Sequence, residues 1–249
     1  MDLGIEGKRA AVAAGSSGLG LGVAHALASE GVRVAICGRD PDRLERAVES
    51  LGVDAAVVPL VADVSDVEGA SAFVAAAVEA LGGIDILVPN AGGPPAGNFA
   101  STDLDAYPAA LQLNLMSTVA MCKLAVPAMQ ERGWGRVVAI TSSTVRQPSA
   151  GLILSNVART GATAFLKTLA TEVAGDGVTV NSVQPGLHDT DRLRHLGVSA
   201  ADAGRAVPTG IVGDALDFGR VVAFLCSQHA RFVTGVAVPV DGGAFSGLQ

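Results

Sequence analysis

The first residues with chemistry to offer form a Gly-rich turn, Ala13-Ala14-Gly15-Ser16-Ser17-Gly18-Leu19-Gly20, between an apolar run and a helical stretch. Glycine lets a backbone come close to a bulky anion, and the first N–H groups of a helix lack partners within it. Such a turn is suited to hold a pyrophosphate. In a chain with 31 glycines the turn alone is weak evidence. Its place between the first strand and the first helix makes it informative. Ala14, Gly15, Ser16, Ser17, Gly18, Leu19 and Gly20 are therefore the expected phosphate-binding residues of a dinucleotide site.

Further positions follow from that reading. In dinucleotide-binding folds an acidic residue about 20 positions on, at the end of the second strand, takes the ribose hydroxyls. Here the place falls to Gly38, followed by Arg39. A guanidinium there would pair with a 2′-phosphate, so NADP(H) is favoured over NAD(H). The alternative is a solvated arginine in a charged loop with Asp40, Asp42 and Arg43. Asp63 and Val64, after the third strand, are expected at the adenine ring. Asn90, Ala91 and Gly92 end the fourth strand, where open α/β sheets bind ligands; Asn90 would equally suit a simple turn. His188 follows the sixth strand and reads either as a proton donor near neutral pH or as an exposed loop histidine.

The elements that must position these groups are legible as apolar runs and periodic stretches. Strands are expected over Arg9–Ala14, Val32–Cys37, Val53–Pro59, Ile84–Val88, Arg136–Thr141, Val178–Val183 and Val236–Val240. Helices are expected over Leu19–Ser29, Pro41–Leu51, Asp66–Leu81, Asp105–Arg132 and Ile153–Ala174. The strands are continuous apolar runs, as expected when both faces of a sheet are covered. Their alternation with helices predicts a three-layer, doubly wound parallel α/β sheet of about seven strands, a Rossmann fold. No linker or repeat divides the chain, so residues 1–249 read as one dinucleotide-binding domain.

Composition limits the partners. The formal charge is -7 and only three lysines are present (Lys8, Lys123, Lys167), which argues against nucleic acid. Hydrophobic residues make up 49% and charged residues 16%, ample material for a core. No uninterrupted apolar stretch of about 18 residues occurs, so no membrane span is expected. MDLGIEGKRA has no basic stretch followed by an apolar one, so a secretory signal is not expected either. Cys37, Cys122 and Cys226 lie far apart without a CxxC pair. They read as reduced, buried thiols of a cytoplasmic protein, and no metal is expected.

Over its whole length the sequence resembles the short-chain dehydrogenase/reductase family. The resemblance is carried by AAGSSGLG, Asp63-Val64, Asn90-Ala91-Gly92, Asn114 in LNLMS, Ser142 in VVAITSS, NSVQPG from Asn181 to Gly186, and VDGG from Val240 to Gly243. Within the family it looks most like the 3-oxoacyl-acyl-carrier-protein reductases, which move hydride between NADPH and a carbonyl carbon and are mostly homotetramers. The resemblance implies Asn114 and Ser142 as catalytic residues. Pro185, Gly186 and Thr190 would lie on the cofactor.

The family's Tyr, 13 residues after the Ser, and its Lys, four residues later, fall on Ser155 and Arg159. A serine hydroxyl is a far weaker acid than a phenol. Arg159 would still reach ribose hydroxyls, but its lasting charge makes it a poor proton shuttle. Ala13 and Ala14 stand where the family has Thr and Gly, so Gly15 is expected to take any positive φ. Residues Leu187–Ala215 fall on the family's substrate lid.

The function implied is an NADP(H)-dependent oxidoreductase that interconverts a carbonyl and an alcohol, with a non-standard proton donor: a water, Ser155 or His188. The substrate would be a small molecule or an acyl thioester, and the assembly a homotetramer or homodimer. Two alternatives stay open. One is a catalytically silent dinucleotide-binding sensor or subunit; the other is a lyase or isomerase in the same pocket.

Overall fold

The strands begin where apolar runs follow a turn and end where a small or polar residue opens a loop. In the computed structural model, which describes residues 1–52 and 56–248, the strands are β1 (Arg9–Val12), β2 (Arg33–Gly38), β3 (Val57–Val61), β4 (Ile86–Val88), β5 (Gly135–Ile140), β6 (Val178–Pro185) and β7 (Ala237–Val240). They form one seven-stranded sheet in the order β3-β2-β1-β4-β5-β6-β7, with every pairing parallel. The start expected for the third strand, at Val53, lies outside the described residues. That strand runs two residues further than expected, to Val61, because Gly38 on β2 is still paired with it.

The longer helices are α1 (Gly18–Ser29), α2 (Pro41–Leu51), α3 (Val67–Leu81), α5 (Ser117–Glu131), α6 (Ile153–Val173) and α9 (Ala215–Cys226). Three short ones, α4 (Ala106–Leu111), α7 (Asp191–His195) and α8 (Ala200–Arg205), lie over the ends of the strands or in the lid region. Caps explain several starts. Asp40, Asp66 and Asp214 each accept a backbone N–H from the first turn of α2, α3 and α9, and Pro41 fills a position where no N–H is needed.

Both faces of the sheet are covered. One buried layer joins Val12, Val34, Ile36 and Val183 of the strands to Val23 and Leu27 of α1, Leu44 of α2, and Phe218 and Val222 of α9. The other joins Ala11, Leu87, Val137 and Val180 to Phe73 of α3, Met121 and Met129 of α5, and Leu166 of α6. The run Ala106–Glu131 is long and apolar enough to cross a membrane, but half of its most apolar 18-residue window is buried inside the protein. It is read as one helix in the sequence, yet Gln112–Met116 form a π turn between α4 and α5. Such turns bulge a helix locally and often occur at functional sites. Asn114 is in this one.

Candidate active site

The sheet reverses its winding between β1 and β4, and a cavity of about 360 Å³ opens beyond the carboxyl ends of the strands there. Its wall includes Ala14, Ser17, Gly18, Leu19 and Gly20 from the first loop, and Asn90, Ala91 and Gly92 after β4. Ser142 after β5, Ser155 and Arg159 on α6, and Pro185, Gly186, His188 and Thr190 after β6 complete the predicted set within it. Gly15, Ser16, Arg39, Asp63, Val64 and Asn114 are not part of this wall.

The Gly-rich loop has the form a phosphate needs. No side chain caps the start of α1, and its first turn holds no acid. Its N–H groups and the positive end of the helix dipole are therefore open to an anion. A side chain on Gly20 would come within 2.3 Å of the Ala14 carbonyl oxygen, so only glycine lets helix and loop approach this closely. One expectation is overturned: the positive φ falls on Ala14 (47°), not on Gly15. Gly15 is needed for space instead, because a Cβ there would meet the Ile36 side chain at 2.9 Å. Ala14 is held in place by its N–H, which donates to Cys37 Sγ at 3.3 Å. Asn90 closes no turn of its own; its Nδ2 donates across to the Ala13 carbonyl at 3.2 Å and ties β4 to the loop.

Arg39 lies exposed at the end of β2, with Nη1 3.9 Å from Asp63 Oδ2, so its nearest acid is the residue expected at the adenine. Asp63 also accepts from the Ser65 N–H at 3.0 Å, and Val64 is buried in the core.

Around the reacting end, Asn114 donates from Nδ2 to the Gly92 carbonyl at 2.9 Å. Its Oδ1 is buried without a partner among the described residues. Ser142 Oγ accepts from the Thr144 N–H at 3.1 Å and lies 2.9 Å from Thr144 Oγ1. This local cap is the ordinary strand-end bonding open to such a serine, and it leaves the hydroxyl on the cavity wall. Ser155 sits one helical turn before Arg159 and is buried.

Arg159, expected at the ribose, is held on the cavity wall by backbone carbonyls. Nη1 donates to the carbonyls of Ile140 (3.1 Å) and Thr141 (3.0 Å), and Nη2 points at those of Ala91 and Gly92 at 3.4 Å each. The guanidinium therefore braces the ends of β4 and β5. Burial and the nearby charge of Arg192 push its pKa down to about 10, so it is still a cation at neutral pH.

His188 is neither exposed nor free. It is buried, packs edge-on against Phe218 with ring centroids 5.2 Å apart, and places Nδ1 3.2 Å from the Gly186 carbonyl. A carbonyl only accepts, so Nδ1 carries the hydrogen and Nε2 has a lone pair. The Cδ2–Nε2 edge lies so close to Gly213 that a Cβ there would be 2.6 Å from Cδ2. Burial lowers the pKa, while the Gly186 bond and Asp214 act against that. The ring's N–H is engaged by the Gly186 carbonyl, and the ring joins the Gly186 and Gly213 loops. The three cysteines are buried as expected, and desolvation raises each thiol to about 12.

Sequence reasoning missed Arg192, which lines the cavity two residues after Thr190. Nothing in the sequence sets it apart, because Asp189, Asp191, Arg194, Asp202 and Arg205 put other charges in the same segment.

A family model described as enoyl-(acyl carrier protein) reductase matches residues 13–244. The chain belongs to the short-chain dehydrogenase/reductase family. Dehydrogenase/reductase SDR family member 4 of Sus scrofa is 34% identical over 249 residues, covering 98% of this chain and 89% of that protein. 3-Oxoacyl-[acyl-carrier-protein] reductase FabG of Vibrio cholerae is 31% identical over 244 residues, covering 98% and 99%. The crystal structure of L-sorbose reductase from Gluconobacter frateurii, complexed with NADPH and L-sorbose, superposes with a TM-score of 0.93. It is 32% identical, and all of both chains is covered.

Proposed function

We propose that this protein is an NADP(H)-dependent oxidoreductase, an atypical family member whose Ser155 and Arg159 stand at the Tyr and Lys positions. It would interconvert a carbonyl, a 3-oxoacyl compound or related ketone, with its alcohol. The observation that carries this reading is one cavity linking the open N-terminus of α1 to the hydroxyls of Ser142 and Ser155. The residues fit a nicotinamide dinucleotide: a cradle that a Cβ on Gly20 would fill, an uncapped helix, and an exposed guanidinium at Arg39. Gluconobacter L-sorbose reductase, similar in sequence and superposable in fold, was crystallised with NADPH.

A bound nicotinamide would exchange hydride with the substrate carbon. Ser142, whose oxygen is fixed by the Thr144 N–H, would donate its hydrogen bond to the carbonyl oxygen. Ser155 or a water beside it would deliver the proton to that oxygen as the alcohol forms. Arg159 would position the Ala91–Gly92 turn and favour negative charge on the oxygen.

Orientation alone leaves appreciable rate when a cofactor does the bond-making, which is why loss of the Tyr–Lys pair is compatible with turnover. The buried thiols support a cytoplasmic setting, and exposed Met116, Leu124 and Val157 on the α5–α6 side support a homodimer or homotetramer.

The test is NADPH and NADH consumption against a panel of ketones and acyl thioesters. Activity is expected with NADPH. Ser142→Ala should lower kcat by about a hundredfold, the usual effect of losing one such donor, with cofactor affinity intact. Arg39→Ala should erase the preference for NADPH over NADH. Tight NADPH binding without consumption across the panel would replace this reading with the silent dinucleotide-binding one.

A further inference from the structure

Two guanidinium groups line the cavity, Arg159 and Arg192, and among the described residues neither has a carboxylate within ion-pair distance. The neighbouring acids are all engaged elsewhere. Asp191, also on the cavity wall, pairs with Arg43 at 2.5 Å and Arg194 at 2.8 Å. Asp189 pairs with Arg194 at 2.7 Å. Asp214 accepts the N–H groups of Leu216 and Asp217 at 2.8 and 3.0 Å, and Asp241 those of Gly243 and Phe245 at 2.9 Å each. His188 is neutral. The cavity therefore carries two positive charges that no neighbouring carboxylate balances.

Arg192 is held in a defined place. Its Nη2 donates to the Pro94 carbonyl at 2.9 Å, and its guanidinium lies flat enough on Gly93 that a Cβ there would come within 2.7 Å of Cζ. The adjoining Leu193 is buried and anchors α7. Arg43 of α2 grips the same helix through Asp191. One amino group of Arg192 is thus spent, while the rest of the fork has no protein partner among the described residues. Partial burial and the like charge of Arg159 make an anion the natural complement to it.

We propose that Arg192 is a specificity-determining residue that selects a carbonyl substrate bearing a carboxylate, an oxo acid in preference to a neutral ketone. The proposal rests on the oxidoreductase reading above and names its substrate class. The anion recognised has two possible sources, a substrate carboxylate or the cofactor's diphosphate. Arg192 contacts Gly93 and Pro94, beyond the Asn90–Gly92 turn, whereas the uncapped helix start at Ser17–Gly20 already offers a phosphate site. That favours the substrate.

The experiment uses 2-, 3- and 4-oxo acids of four to six carbons and the methyl ester of each, with NADPH. A charge-assisted hydrogen bond makes about a tenfold difference or more. KM for the best acid should accordingly lie about tenfold below that of its ester. Arg192→Gln should raise the KM of the acid to that of the ester, leaving ester kinetics, NADPH affinity by fluorescence titration and the melting temperature unchanged. Equal KM values for acids and esters throughout the series would overturn the proposal. So would a loss of NADPH affinity in Arg192→Gln, which would give the arginine to the cofactor.

Calorimetric titration of the same acids and esters into the protein–NADP+ complex separates the two claims. Acid-selective binding that Arg192→Gln removes, without turnover of any compound, sinks the oxidoreductase reading and keeps this one. Equal binding of acid and ester with turnover of both does the reverse.

Discussion

The two ends of the sheet hold similar groups and use them differently. At the amino end Arg9 grips Asp85 through Nε and Nη2 at 2.8 and 2.7 Å, and Arg132 adds a contact at 3.6 Å. Arg136, buried at the start of β5, donates to the carbonyls of Gly135 and Gly177 and lies 4.5 Å from the Trp134 ring centre, which Lys8 also approaches at 4.2 Å. A depression of about 550 Å³ opens there too. Of the cations lining it, Arg9 and Arg132 meet the Asp85 carboxylate and Lys8 lies over the Trp134 ring. At the carboxyl end Arg159 and Arg192 are held by backbone carbonyls, and among the described residues they have no acid and Asn114 Oδ1 has no partner. Balanced charge holds strands together; unbalanced charge in a cavity waits for a ligand.

The largest effect expected from breaking this contrast is at Asp85. Burial opposes its ionisation, but the hydrogen bonds and charge of Arg9, with Arg132, outweigh that and hold its pKa below the ordinary carboxylate value. Asp85→Asn leaves two arginines underpaired and should cost about 2 kcal/mol. For a chain of this size that is a fall in Tm of about 6 °C. NADPH affinity should not change, because the pair lies at the far end of the strands. The sign with pH follows from the depressed pKa: the stabilisation is complete above about pH 4 and is lost as pH falls through the folded value. Melts from pH 6 down to pH 3 should therefore converge for the two proteins. A parallel loss of cofactor affinity would show that the two ends are coupled.

A smaller effect is expected at His188, which belongs to the carboxyl end but has a structural task. Its pKa lies below the ordinary 6.5. The unfolded chain therefore takes up a proton that the folded one refuses, and stability falls as pH drops below about 6.5, with none lost above it. His188→Gln should flatten this limb between pH 6.5 and 5. If the limb persists unchanged, the buried ring is not its source.

Much of this architecture is legible in the residues, because strands covered on both faces are continuous apolar runs and the phosphate loop is a local motif. The π turn at Gln112–Met116 escapes detection, since it changes which carbonyl each N–H meets without changing the apolar pattern. Arg159 and His188 were legible as positions but not in the contacts that hold them. The four carbonyls around Arg159 come from the end of β5 and the loops after β4 and β5, at least 18 residues away in the chain, and the partners of His188 include Phe218 on α9. Arg192 was illegible for a related reason: what singles it out is the absence of a nearby acid, which only the folded arrangement of Asp189, Asp191 and Asp214 reveals.

The smallest effect expected concerns Ala14. A non-glycine residue in the left-handed region costs about 1–2 kcal/mol, and Ala14 sits there with φ of 47°. Ala14→Gly removes that strain but adds freedom to the unfolded chain, about 0.5–1 kcal/mol in the other direction. The net gain should be below about 1 kcal/mol, a rise in Tm of about 1–3 °C. Cofactor affinity should hold within about twofold, since the loop is fixed by contacts that glycine retains: its N–H on Cys37 Sγ and the Asn90 amide on the Ala13 carbonyl. A tenfold loss of NADPH affinity beside a gain in stability would carry a different meaning. It would show that the strained alanine preorganises the cradle, and that the carboxyl end holds strain as well as unbalanced charge in readiness for its ligand.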